Sequence, residues 1–302
     1  HLDHGIVLSQ GPDSITFSYP IVNKHNHASE GDPFFLYNSL LALDEPGEAF
    51  YDVEGVSGQS HTLYLIPPAG VTPDQSLVEL RSLRDHPGSG TESSNSAFWF
   101  TGGVEYVRVE NLSVLGAEVF ALVSASSHIS FRGVTVLYGS LSGAAVSLTS
   151  PDCEFIYGRI EGSLGQGTLI GENGIFRNNV VSRILREAVV SIREGTRVEQ
   201  NTIHEVGGVG VSLTSDGGTV KHNNVFQCAL LLADVAAMNC CSQGDLGGLE
   251  IAYNFVHTCP GRYDTFYGWG GCFGIRLDGG CGLKSNSNYL IHHNMVCGVS
   301  SP

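Results

Sequence analysis

The sequence predicts an all-β fold, a β-solenoid of short strands joined by turns preceded by a small all-β leader, and three observations carry that expectation. The first is a repeat: a polar or glycine position followed within three residues by a branched or aromatic apolar one. It recurs at Asn111, Gly133, Gly158, Asn179, Asn201, Asn224, Asn254 and Asn294, in steps of 22, 25, 21, 22, 23, 30 and 40 residues. A period of roughly 20 to 25 residues marks a solenoid whose coils cannot bury their apolar faces alone. The second is the near absence of helix-favouring stretches in a chain holding 39 glycines. The third is the side-chain register around each anchor. Ile160, Val181, Ile203, Phe226, Val256 and Val296 follow their anchors by two, and Phe176, Val198, Ile251 and Ile291 precede theirs by three.

Residues 1–95 form the expected leader. Ile15–Phe17, Phe34–Leu36, Ala49–Tyr51 and Thr62–Ile66 read as strands, and Gly55 to Ser60 reads as a hairpin loop before the Pro67-Pro68 stop. Asp85 to Ser96, rich in Gly, Ser and charge, reads as a linker or exposed loop before Phe98-Trp99-Phe100 opens the solenoid, residues 96–302. Within the coils the register places the two apolar series inside, and Lys221 interrupts the second of them. A second strand recurs upstream of the anchors at Val146–Ser150, Val190–Arg193 and Val211–Ser215. Asparagines stacked at one turn of successive coils hydrogen-bond up the ladder, so Asn179, Asn201, Asn224, Asn254 and Asn294 are assigned a structural role.

Composition narrows the function classes. Charged residues are 15% of the chain and the net charge is −15, so no basic surface suited to phosphate backbones is expected and nucleic acid is not an expected partner. No apolar run approaches the roughly 18 to 20 residues of a membrane span. Seven of the eight cysteines fall between Cys228 and Cys297, where the coils lengthen. Cys228 and Cys259 stand at nearly the same point of adjacent coils, where a Cα separation of about 5 Å suits a disulfide. Disulfides lead on compartment grounds, with buried free thiols second and a metal third, because Cys240-Cys241 lacks metal-ligand spacing. Neither a metal nor an organic cofactor is expected. Asn111-Leu112-Ser113 is a glycosylation sequon, and with the cysteines it points to an extracellular or cell-surface location. A start at His1 without methionine reads as a processed chain or a fragment.

Several segments resemble the secreted right-handed parallel β-helix repeat family. Leu43-Asp44-Glu45-Pro46-Gly47-Glu48, Phe50-Tyr51-Asp52 and Thr62–Pro68 are similar to its leader phrase, and Asn201-Thr202-Ile203-His204 is similar to its coils. The resemblance implies the fold, and its relatives include glycoside hydrolases, polysaccharide lyases and proteins without demonstrated chemistry. It also implies a pair of acidic site residues, Asp234 in Asp234–Met238 and Asp278 in Ile275–Gly279. Ala236, Asn239 and Gly279 depart from the family's pattern at those segments.

Spacing treats the pair independently. Asp234 lies between the anchors Asn224 and Asn254, and Asp278 between Asn254 and Asn294, so the two occupy adjacent coils. On one face their carboxyls would stand roughly 5 to 8 Å apart, within the range used by retaining and inverting glycosidases. One would donate a proton to the leaving oxygen and the other would attack or activate water. The alternative is that each aspartate caps a turn. Arg262, Tyr263, Tyr267 and Trp269, with Asp264, form an aromatic and polar group in the last long loop that would either line a carbohydrate cleft or pack on itself. His204 and His257 are two coils apart, about 10 Å, too far for one zinc to join.

The expected function is therefore a carbohydrate-active protein, glycoside hydrolase-like, acting on a cell-wall or matrix polysaccharide. The competing expectation is a non-catalytic module of an extracellular filament or cell-surface coat. The chain stops eight residues after Asn294 without a cap, which predicts self-association at that end or continuation into a longer polypeptide.

Overall fold

The computed structural model describes residues 6–11, 14–18, 49–52, 62–66, 70, 96–117, 119–140, 143–191, 194–213, 217–232, 234–240, 248–261, 263–264, 269–277 and 289–300. Every regular element among them is a β-strand. The chain divides into two compact units, one of residues 28–83 and one of residues 1–27 with 84–302. In the smaller unit Ala49–Asp52 pairs antiparallel with Thr62–Leu65. In the larger, Ile6–Gly11 pairs antiparallel with Ser14–Ser18. The expected strand at Phe34–Leu36, the loop from Gly55 to Ser60 and most of the linker from Asp85 lie outside the described residues.

The larger unit contains three parallel sheets of eight strands each, visited in rotation. This is a parallel β-helix. The first sheet runs from Arg108–Glu110 to Leu290–His292, the second from Ser113–Leu115 to Met295–Val299, and the third from Ser96–Phe100 to Cys272–Leu277. Alternation along each short strand sends one column inward. In the first sheet that column is Val109, Phe131, Phe155, Phe176, Val198, Val220, Ile251 and Ile291. In the second it is Val114, Val136, Ile160, Val181, Ile203, Val225, Val256 and Val296. From Val136 to Val256 the second column is buried, and each such side chain contributes about 1.5 to 3 kcal/mol. Phe155 and Phe176 stack at 5.8 Å inside, so aromatic contact also follows the coil repeat.

The turn from the first sheet to the second has two residues in every described coil. Its first residue takes positive φ, at Asn111, Gly133, Tyr157, Asn178, Gln200, His222, Tyr253 and His293. Its second points inward, and in the later coils it is asparagine. The backbone NH groups of Asn179, Asn201, Asn223 and Asn254 donate to the Oδ1 atoms of Asn201, Asn223, Asn254 and Asn294, at 2.9 to 3.0 Å. Their Nδ2 groups donate to backbone carbonyls of the preceding coil, as Asn223 does to Val198 at 2.8 Å.

The ladder therefore corrects the expected register at three anchors. Asn223, not Asn224, is the rung, and Asn111 and Gly133 stand one place early, at the positive-φ position. The physical reason is that a two-residue corner turns only one side chain into the core. Asn224 begins the next strand and faces out. Val225 replaces Phe226 in the inward column, and Val220 replaces Lys221 in the series three before the anchors. The interruption expected at Lys221 disappears.

Candidate functional site

The coils swell at the corner between the second and third sheets. Strands there are joined by the segment between Phe226 and Val235 in one coil and between Cys259 and Cys272 in the next. Asp234 ends the first of these segments with φ 52°, a left-handed conformation that aspartate tolerates better than most residues. It is half-buried. The strands Val235–Cys240 and Cys272–Leu277 then pair in parallel with Asn239 beside Arg276. From that next coil Arg276 Nη1 donates to Asp234 Oδ1 at 2.8 Å and to the Asp234 carbonyl at 3.0 Å. The guanidinium also lies 5.5 Å from the ring centroid of Phe273, a cation–π distance.

Ser212, Asn239 and Arg276 are successive outward positions of the third sheet. Among the described residues, Asn239 Oδ1 is a buried oxygen without a hydrogen-bond partner. The arrangement presents a carboxylate, a guanidinium, an amide and a hydroxyl on adjacent coils, a set suited to hydroxyl-rich ligands.

Of the residues singled out from sequence, Asp278, Arg262 and Tyr267 lie outside the described residues. Tyr263 and Trp269 belong to a two-stranded antiparallel hairpin in which Asp264 pairs with Trp269 and Tyr263 with Gly270. Arg276 was missed. Its signal stood in the segment Ile275–Gly279, but the contact joins residues 42 apart, across an inserted loop.

Cys228 and Cys259 do meet, each five residues after its ladder asparagine. Both are buried free thiols, so the expected disulfide is not present. Cys272 joins them. The Cys259 sulfur is hydrogen-bonded by both neighbours, which lowers its pKa, while the same bonds and burial hold Cys228 and Cys272 above the ordinary thiol range. Burial alone pushes Cys240 up to about 12. Asn111 is exposed at its turn, with exposed Ser113 two residues on.

Two outward columns of rings were also unforeseen. His204, Phe226 and His257 stack at 5.0 and 4.9 Å on the second sheet. His222, Tyr253 and His293 stack at 5.1 and 5.0 Å along the corner. Phe226 thus fills the coil between His204 and His257. Nearby, Glu250 pairs with Lys221 at 2.7 Å and with His292 at 3.0 Å, and those two bonds lower its pKa. Among the described residues no group of three or more His, Cys, Asp or Glu is placed to hold a metal ion, and no helix is long and apolar enough to cross a membrane.

No protein-family model matches this chain, and no curated protein matches it. Solved structures similar to it include the A-module of Azotobacter vinelandii mannuronan C-5 epimerase AlgE4, with TM-score 0.48 and 14% identity over 65% of this chain and 54% of that one. The AlgE6 A-module from the same organism has TM-score 0.36 and 11% identity over 65% of this chain and 56% of that one. The chain spans little more than half the length of either module.

Proposed function

We propose that this β-helix is an extracellular carbohydrate-active protein, hydrolase-like, that takes a cell-wall or matrix polysaccharide on the outer face of its third sheet. The observation that carries the reading is the half-buried Asp234–Arg276 pair, set across two coils beside the longest insertions of the described helix. A carboxylate with one oxygen fixed by a guanidinium is oriented to attack a sugar carbon or to take a proton from water. Asp278, two residues after Arg276 in sequence, is the carboxyl proposed to protonate the leaving oxygen. Arg262, Tyr263, Tyr267 and Trp269 are proposed as the wall against which sugar rings pack.

A panel of plant, microbial and matrix polysaccharides, with new reducing ends and product masses as readout, tests this. Cleavage of at least one polymer is expected, with a loss of about 100-fold or more in Asp234→Asn. The absence of both cleavage and binding across the whole panel would remove the reading.

A further inference from the structure

Cys259 ends the strand Phe255–Cys259, and Cys272 begins the strand Cys272–Leu277; a Cβ on Gly261, two residues after Cys259, would collide with the Cys272 backbone nitrogen, so the two cysteines flank the base of the insertion 260–271 that carries the Tyr263–Asp264 and Trp269–Gly270 hairpin. Cys228 is the coil-to-coil equivalent of Cys259. Val225 and Phe226 pair with Val256 and His257, and the Gln227 NH continues the ladder to the Thr258 carbonyl, which brings Cys228 beside Cys259 at the spacing of neighbouring strands, about 4.8 Å. That spacing lies within the Cα range of disulfides. Gly210 of the preceding coil leaves room for the Cys228 thiol, since a Cβ there would stand 2.9 Å from its sulfur. The Cys272 NH donates to Ser300 Oγ at 2.7 Å, which ties the far side of the base to the last described coil.

We propose that Cys259 is the shared partner of two mutually exclusive disulfides, one with Cys228 that staples adjacent coils and one with Cys272 that closes the insertion 260–271 at its base. A sulfur forms one disulfide at a time, so whichever link forms leaves the third thiol next to it, placed to exchange. The oxidant is a low-molecular-weight disulfide such as oxidised glutathione. The Cys259 thiolate attacks one of its sulfurs and expels a glutathione thiolate, giving a mixed disulfide. Cys228 or Cys272, as it loses its proton, attacks the Cys259 sulfur and expels the second glutathione. Two cysteine thiols lose two electrons and two protons, and one glutathione disulfide becomes two glutathione thiols. The three sulfurs are buried, so the exchange requires the corner to open, and it runs more slowly than at a surface thiol. The proposal does not depend on the carbohydrate reading.

The test uses the full chain, reduced and then oxidised with oxidised glutathione, quenched in acid, and alkylated in denaturant. Cleavage after Lys221, Glu250, Arg262 and Arg276 by trypsin and a glutamate-specific protease puts Cys228, Cys259 and Cys272 on separate peptides. Fragment spectra then distinguish Cys228 from Cys240 and Cys241 within one of them. Both the 228–259 and the 259–272 links are expected in the wild-type map, with Cys228→Ser carrying only the second and Cys272→Ser only the first. Complete alkylation of all three peptides after oxidation would overturn the proposal. So would a Cys259 linked to a cysteine outside the trio, or a wild-type map with one link alone. The wild-type map decides the matter even if a variant fails to fold.

Discussion

Asn223 and Asn224 are chemically identical neighbours, and the fold gives them different duties. The Asn223 side chain accepts from the backbone and side-chain nitrogens of Asn201 and donates to the Val198 carbonyl and to Asn254 Oδ1, all within the buried ladder. The Asn224 amide oxygen meets His257 Nε2 at 3.1 Å on the outer face. Replacing Asn223 with alanine strands a buried NH and a buried carbonyl, each worth about 1 to 3 kcal/mol, so a loss of about 3 kcal/mol is expected in chemical denaturation. Asn224→Ala is expected to cost under about 1 kcal/mol, because water replaces its partner. Equal losses would mean that Asn223 is not the rung. That one-residue difference also marks the limit of the sequence. A run of two asparagines offers two registers, and only the two-residue corner, with His222 at positive φ, decides which side chain turns inward.

At the scale of the strand, the periodic core was legible and the cross-coil polar pairs were not. Columns such as Val181, Ile203 and Val256 announce themselves, because each inward position repeats the same chemistry at the coil period. Arg276 meeting Asp234, or Lys221 and His292 meeting Glu250, joins unlike residues across insertions of unequal length, so no period reveals them. The Glu250 group has a consequence in pH. Its carboxyl is depressed by hydrogen bonds from Lys221 and then His292, so the stability it contributes is present above the unfolded value, near 4.5, and is lost as pH falls through the lower folded value. Melting temperatures of wild type and Glu250→Gln are therefore expected to differ at pH 6 and to converge as pH falls below 4.5. The pair is partly exposed, so the gap is small and shrinks in salt. A gap that instead widens on acidification would show that the bonds do not favour the ionised carboxylate.

For the whole β-helix, each coil contacts only the coils before and after it, so stability is set locally and the ends are weakest. The middle coils hold Phe176, Val181, Val198 and Ile203 with no exposure, while Met295 and Val296 are 63% and 42% exposed in the last described coil. The Asn254 NH closes onto Asn294 Oδ1, and that is the final ladder bond among the described residues. Hydrogen exchange should follow this gradient. Amides of Val180–Ile184 and Thr202–Val206 are expected to exchange at least about 100-fold more slowly than those of Met295–Val299, a gap of roughly 3 kcal/mol in opening free energy. The same measurement tests the proposed polysaccharide face. An added substrate is expected to slow exchange around Val235–Cys240 and Cys272–Leu277, where Asn239 and Arg276 lie, and to leave Val180–Ile184 unchanged. Equal slowing in every strand, or none at Val235–Cys240 and Cys272–Leu277, would place the substrate elsewhere.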